Sequence, residues 1–327
     1  MNTNARFAEI DRLKSRLDSL RPLPEHTVRT LHEQQVLEWT YHSNAIEGNT
    51  LTLKETKVVL EGITIGGKSL REHFEVINHK EAIDYVEAIV GGQEDLSEWQ
   101  IKSIHHLVLK NIDDRNAGKY RQENVVIAGA EHVPPDFLKV PEAMAALIDW
   151  YREATGSPGS DAGVANPLPP GEGRVRESKQ DLPPLNQLSG IDSFGVEGQA
   201  FRFKSPHPGP LPEGEGVNSA SLVLHPVECA ARLHVDFVGI HPFVDGNGRT
   251  SRLLMNFELM RRGYLPVIIP VEQRLSYYDA LDHAHTRGDY EPFIELVAGL
   301  EQATLERYLR VIQGDGFTPS PTGRGLG

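Results

Sequence analysis

Residues 155–220 interrupt an otherwise helix-patterned chain with a stretch that cannot enter a core. They hold 21 glycines and prolines in 66 positions and almost no apolar periodicity. The stretch also repeats itself, NPLPPGEGR at 166–174 returning as GPLPEGEGV at 209–217. Sequence of this kind buries too little apolar surface to offset the entropy of ordering it. It therefore reads as a disordered insertion, and the related ending PSPTGRGLG gives a disordered tail at 314–327. Whatever folds must be built by the two flanking segments together. The expected organisation is a helical region at 1–95 and a second domain at 96–313, with 155–220 inserted into it.

The flanks carry the apolar spacing of helices. Between His26 and Tyr41, Val28, Leu31, Val36, Leu37 and Trp39 recur at roughly helical intervals. Thr52 with Glu55 forms a capping box, and that helix stops at Gly62. A long helix follows from His73 to Val90, and Ser97 with Gln100 opens another that ends near Leu109. Pro141 to Tyr151, Pro226 to Val238, Arg249 to Arg262 and Leu275 to Arg287 are helical, with one or two more from Tyr290 to Leu309. One segment differs: NVVIAGAEHVPP, from Asn124 to Pro135, is rich in β-branched residues and turns around Gly129, a hairpin signal. The expected fold class is all-α with one small β-hairpin.

Charge narrows the partners. The formal net charge of −13 opposes general nucleic-acid binding, because phosphate backbones are held by neutralising Lys and Arg. Arg249, Arg252, Arg261 and Arg262 nevertheless bunch together, which suggests a local site for a small anion. Of these, Arg261 and Arg262 read as a solvated helix face. No apolar run of about 18 residues is present, so no membrane span is expected. The charged opening MNTNARFAEIDRLKSRLDSL lacks a signal-peptide core. The single cysteine, Cys229, excludes an internal disulfide and suits a reducing compartment. The expected location is cytoplasmic.

The anion site has a specific candidate in HPFVDGNGRTSR, from His241 to Arg252. Gly246 and Gly248 flank Asn247, a loop that can expose successive amide N–H groups. Those donors sit where the next helix begins, and a helix start has unpaired N–H groups and a positive dipole end. Together they suit phosphate. Arg249 and Arg252, three residues apart, can clamp phosphate oxygens bidentately. Asp245 beside such a site is a plausible Mg²⁺ ligand. His241, four residues earlier, could take a proton from an attacking hydroxyl.

This run resembles the Fic family signature, HxFx(D/E)GNGRxxR, without a mismatch. The segment NVVIAGAEHVPPD resembles that family's flap, and the flanks LHPVECAARLHVDFVGI and EQRLSYYDALDHAHTRGDYEPFI are similar to Fic sequence as well. The resemblance spans about residues 35–300 apart from the insertion. It implies a Fic-type helical core with the hairpin as flap, and residues 96–313 as the catalytic domain. It also implies Mg²⁺-dependent transfer of AMP from ATP to Ser, Thr or Tyr hydroxyls of target proteins. His241 would be the general base and Asp245 the metal ligand. Gly246, Asn247 and Gly248 would form the anion hole, Arg249 and Arg252 would hold phosphates, and Phe243 would anchor the loop in the core. Val125, Val126, Ile127 and Ala128 would pair with the target. On the adenine side stand Tyr277, Tyr278 and His285, the last where close relatives carry Asn. A metal pair from His283 and His285 lacks further ligands. Self-modification and a homodimer are also consistent with the family.

Far upstream, Ser43-Asn-Ala-Ile-Glu47-Gly48 resembles the Fic inhibitory helix, (S/T)xxxE(G/N), here at about residues 37–48. Glu47 at a helix end opposes the dipole and gains from a cation, and Arg252 is the expected partner. Breaking such a pair, if buried, costs roughly 3–5 kcal/mol. The expected protein is thus a self-restrained adenylyltransferase. Two alternatives stay open at this point: a hydrolase that removes AMP using the same site, and a non-catalytic nucleotide-binding module.

Overall fold

The computed structural model describes residues 3–156 and 223–314. The expected insertion lies outside these residues apart from its first two positions, and so does the tail beyond Gly314. The described residues form ten α-helices: α1 (Thr3–Ser19), α2 (Glu25–Ile46), α3 (Leu53–Leu60), α4 (Leu70–Gly91), α5 (Glu98–Leu109), α6 (Val140–Thr155), α7 (Pro226–Ile240), α8 (Asn247–Arg261), α9 (Arg274–Arg287) and α10 (Glu291–Gln313). Short 3₁₀ turns at Phe137–Lys139 and Val271–Gln273 lead into α6 and α9.

Helix starts follow local chemistry. The Thr52–Glu55 capping box opens α3, its two reciprocal bonds measuring 3.2 and 2.7 Å. A second capping box, Ser69–Glu72, starts α4 ahead of the His73 onset that apolar spacing alone suggests. Ser97 is the N-cap of α5, but its hydroxyl bonds the Gln100 side chain and makes no bond to a helix N–H. The expected cap there is in place only as a residue. α1 was not anticipated: its apolar face, Phe7, Ile10, Leu13 and Leu17, is buried against the surface that includes α10. The single α10 takes the place of the expected one or two helices.

α8 is the centre. Every residue from Arg249 to Met260 is buried, so the helix has no solvent face and its polar side chains need partners. Asn256 exchanges two hydrogen bonds of 2.8 Å with the backbone of Val267. Glu258 receives Tyr151 Oη and Arg262 Nε. Arg262 also donates to the Thr155 carbonyl at 2.8 Å, and Arg261 pairs with Asp95. The last two arginines are therefore structural fasteners, correcting the reading of a merely solvated face. One apolar cluster, from α2 and α4 to α8, covers one side, and a second, from α1, the end of α2 and α7 to α10, covers the other. The two flanks of the sequence thus share one core. Leu224 N–H donates to the Ala154 carbonyl at 3.3 Å, so the chain ends on either side of the undescribed stretch are neighbours.

The expected hairpin is corrected. Residues 124–135 turn as anticipated, with Gly129 at φ +81° and Ala130 N–H reaching the Ile127 carbonyl at 3.2 Å. No described residue is in a strand. The loop's two arms exchange no ladder bonds, and Pro134 and Pro135 have no N–H to offer. Its base is closed by side chains: Asn124 donates to Asp136 at 3.0 Å and accepts from Phe137 N–H at 2.8 Å.

Candidate active site

The site is the loop between α7 and α8, residues 241–246. α7 ends at His241, a non-glycine residue in the left-handed region with φ +50°. That turn points the chain back across the N-terminus of α8. Asn247 sets the loop's shape, because its side chain accepts from Phe243 N–H at 3.0 Å and donates to the Phe243 carbonyl at 2.8 Å. Phe243 is fully buried and stacks on His105 with ring centres 3.5 Å apart. It is the anchor the sequence suggested. Asn247 is a buried clamp, and only its backbone N–H remains for a ligand.

Gly246 precedes α8 at φ +78°, a conformation that an L side chain rarely adopts. A Cβ there would also crowd Val108 and His105. The first bond inside α8 runs from Thr250 N–H to the Gly246 carbonyl at 2.9 Å. The N–H groups of Asn247, Gly248 and Arg249 thus lack intrahelical acceptors at the positive end of the dipole. Arg249 adds a buried guanidinium, held loosely by Asp245 at 3.5 Å and Glu75 at 3.7 Å, with Nε and Nη1 making no hydrogen bond. An anion is the partner this arrangement lacks.

His241 is half-buried, and burial pushes its pKa down to about 4, with Arg121 adding to the effect while Val238, Glu47 and Asp245 oppose it. Its imidazole is therefore neutral at physiological pH and able to accept a proton. For Asp245 burial acts upward, but Arg249, the Gly246 N–H and Arg71 outweigh it and hold the carboxyl below its usual range. Arg71, at the start of α4, reaches Asp245 Oδ2 at 2.6 Å and Glu75 at 3.1 Å.

Glu47 closes the site from α2. Its Oε1 accepts from Arg252 Nη2 at 2.7 Å. The same guanidinium donates to Ser43 Oγ at 3.0 Å, to the Ser43 carbonyl at 2.9 Å and to Tyr277 Oη at 3.3 Å. Burial alone would lower the Arg252 pKa, yet Glu47 and Tyr277 raise it. A Cβ added at Gly248 would collide with Glu47 Oε1. The Glu47 carboxylate thus lies over the anion site as well as on Arg252.

The remaining anticipated residues divide. Tyr277 is buried, with its hydroxyl between Arg252 and His234, so it supports the arginine and presents no open face for a base. Tyr278 is more exposed and sits under Arg274, its hydroxyl 3.4 Å from the Ile46 carbonyl. His285 donates to the Val235 carbonyl at 2.8 Å and lies 4.6 Å from the ring of His132. His283 is 3.9 Å from Asp289, and the described residues contain no group of three metal-binding side chains. Val126 is exposed on the first arm of the 124–135 loop, ahead of the turn at Gly129, with Val125, Ile127 and Ala128 beside it.

Three residues that sequence reasoning passed over shape the loop: Arg71, His105 and Arg121. Gly118 N–H donates to His105 Nδ1 at 2.9 Å, so the proton is on Nε2, which donates to the Asp245 carbonyl at 2.9 Å. Burial holds the His105 pKa down at about 3 and keeps the ring neutral. Nothing in IHHLV distinguishes this histidine from an ordinary core residue.

Comparison with known proteins agrees with this geometry. The Fic/DOC family profile matches residues 95–165 and 173–259. A protein adenylyltransferase Fic from Nematostella vectensis is 32% identical over 92% of this chain and 55% of its own length. Its namesake from Drosophila melanogaster is 32% identical over 92% of this chain and 48% of its own. The chain spans about half the length of these curated relatives. Among solved structures, Fic-1 from C. elegans superposes with a TM-score of 0.69 at 26% identity, covering 96% of this chain and 74% of that one. No helix among the described residues is long and apolar enough to cross a membrane.

Proposed function

This chain belongs to the Fic/DOC family, and from that premise we propose that it is a protein adenylyltransferase whose resting state is restrained by Glu47. The observation that carries the reading is the His241 imidazole on the same clamped loop as the N-terminus of α8, whose first three N–H groups lack intrahelical acceptors. A base and an anion site so joined suit attack of a hydroxyl on a phosphorus atom. The relatives named above as adenylyltransferases support the choice of AMP as the transferred group.

In this reading a Ser, Thr or Tyr oxygen of a target attacks the α-phosphorus of ATP while His241 takes the hydroxyl proton. The bond from the α-phosphorus to the bridging oxygen of the β-phosphate breaks, and pyrophosphate leaves. The amides of Asn247, Gly248 and Arg249 and the Arg249 side chain stabilise the phosphate charge. Arg252, once free of Glu47, holds the γ-phosphate. Asp245 is the residue that would hold Mg²⁺. A lone carboxylate fits an ion that commonly takes one or two protein carboxylates together with phosphates and water. When bound, the ion would neutralise charge on the phosphates. The two arms of 124–135, which exchange no ladder bonds with each other and carry exposed residues such as Val126, suit strand-like pairing with an extended target segment.

Glu47 favours a second reading of the same site. Its carboxylate faces the anion hole and acts electrostatically on His241, a position from which it could orient a water toward an AMP-modified hydroxyl. Glu47→Gly separates the two reactions, raising transfer and abolishing removal. Transfer of label from α-³²P-ATP to lysate proteins, compared between wild type and Glu47→Gly, tests the proposal. Label from neither protein, with both folded and binding ATP, would reject it.

A further inference from the structure

Arg121 lies between α5 and α6, only 3% exposed, and all of its hydrogen bonds run to main-chain carbonyls. Nε donates to the His241 carbonyl at 2.9 Å, Nη1 to that of Glu123 at 3.0 Å, and Nη2 to that of Pro135. Its own N–H donates to the Pro242 carbonyl at 2.9 Å. Glu123 and Pro135 mark the two ends of the exposed loop 124–135. His241 and Pro242 begin the loop that carries the base. One side chain therefore joins both ends of the first loop to the start of the second.

The chemistry suits a strut. A planar guanidinium presents five donors in a fixed fork, whereas an ammonium offers a flexible point charge. Burial pulls the Arg121 pKa below its usual value, and Asp136 only partly offsets this. The cation is thus held chiefly by oriented carbonyl dipoles, and its position depends on both loops being in place. A second tie runs in parallel, since His132 Nε2 donates to the Gly239 carbonyl at 2.8 Å. That tie reaches the last turn of α7, two residues before His241.

We propose that Arg121 is a positioning residue that fixes the distance between the target-pairing loop and His241, so that a hydroxyl on the paired segment arrives at the base. The inference rests on the adenylyl-transfer reading. It separates two properties that a structural role would not: nucleotide binding belongs to α8, target presentation to the strut. A misplacement of about 1 Å at a reacting group can slow chemistry about 100-fold.

The test uses the Glu47→Gly protein as parent, with Arg121→Lys and Arg121→Gln added separately. Melting temperature, ATP affinity by calorimetry with Mg²⁺, initial transfer from α-³²P-ATP to lysate proteins, and amide hydrogen exchange are measured on each. Arg121→Lys is expected to bind ATP within about twofold of the parent, because it touches no α8 amide. Its transfer should fall by about 100-fold, with exchange at 124–135 faster by about tenfold and α8 unchanged. Transfer near the parent's rate overturns the proposal. So does parallel loss of ATP binding and α8 protection, which marks a merely structural role. Arg121→Gln should fall at least as far, and Arg121→Lys decides if Arg121→Gln does not fold. A parent that transfers no label rejects the adenylyl-transfer reading itself, and the exchange comparison still reads the strut.

Discussion

If the proposed restraint operates, replacing Glu47 with glycine should raise transfer by an amount the geometry bounds. The Glu47–Arg252 contact is a charge-assisted hydrogen bond of 2.7 Å, and bonds of that type contribute about 1.5–3 kcal/mol. The Arg252 side chain is buried, but that of Glu47 is 35% exposed, so solvent screening favours the lower half of the range. The roughly 3–5 kcal/mol appropriate to a fully buried pair is therefore too large. Arg252 also keeps Ser43 and Tyr277 as partners after the substitution. About 2 kcal/mol of released competition corresponds to roughly 30-fold in rate. Glu47→Gln provides the control: it removes the charge yet leaves a side chain over Gly248. Initial rates of label transfer from α-³²P-ATP to lysate proteins should rank wild type, then Glu47→Gln, then Glu47→Gly. The fold should survive, because Glu47 is already the C-cap of α2 and Gly48 follows at φ +98°. Equal rates for all three, with unchanged melting temperatures, would refute the reasoning.

Two further outcomes follow from the same geometry. Arg71 holds the Asp245 carboxylate through an exposed ion pair, worth no more than about 1 kcal/mol. Arg71→Ala should therefore tighten Mn²⁺ binding in the presence of ATP by up to about fivefold, read by calorimetry. Weaker binding would mean that Arg71 serves the phosphates instead. The second outcome concerns acid. His105 and His234 have pKa values near 3 and His241 near 4, burial being the main cause in each. Unfolding restores the ordinary value of about 6.5, so the unfolded chain binds more protons as pH falls below that point. Stability should then drop from pH 6.5 down to about 4 for His241 and about 3 for His105 and His234, by up to about 2 kcal/mol per histidine at pH 5. Urea midpoints at pH 7 and pH 5 check this, and equal midpoints would contradict it.

The sequence revealed most where chemistry is local. HPFVDGNGRTSR packs a left-handed turn, a glycine-framed helix start and two arginines into one run, and the structure builds one loop and the helix start after it from that run. SNAIEG likewise ends a helix with its Glu on Arg252. Reading failed where a role depends on distant partners. His105 and Arg121 act on carbonyls of residues 120 to 140 positions away, and no spacing rule records that. Tyr277 stands next to Tyr278 in sequence, but only packing of α9 decides which one meets Arg252. Residues 124–135 have strand-like composition, yet with no partner strand among the described residues they remain a loop. α8 shows no amphipathic period because Arg249 to Met260 are all buried, and Arg261 and Arg262 at its end read as solvated when they are fasteners.

The central claim is that His241 serves as the base for moving AMP, and one comparison tests it most directly. Glu47→Gly and the double variant Glu47→Gly/His241→Ala are incubated with Mg²⁺, lysate and ATP labelled on either the α- or the γ-phosphate. The account predicts protein-bound label from α-³²P-ATP only, lost when His241 is replaced, with ATP binding retained. Label from the γ-phosphate, or α-label that survives loss of His241, would contradict it.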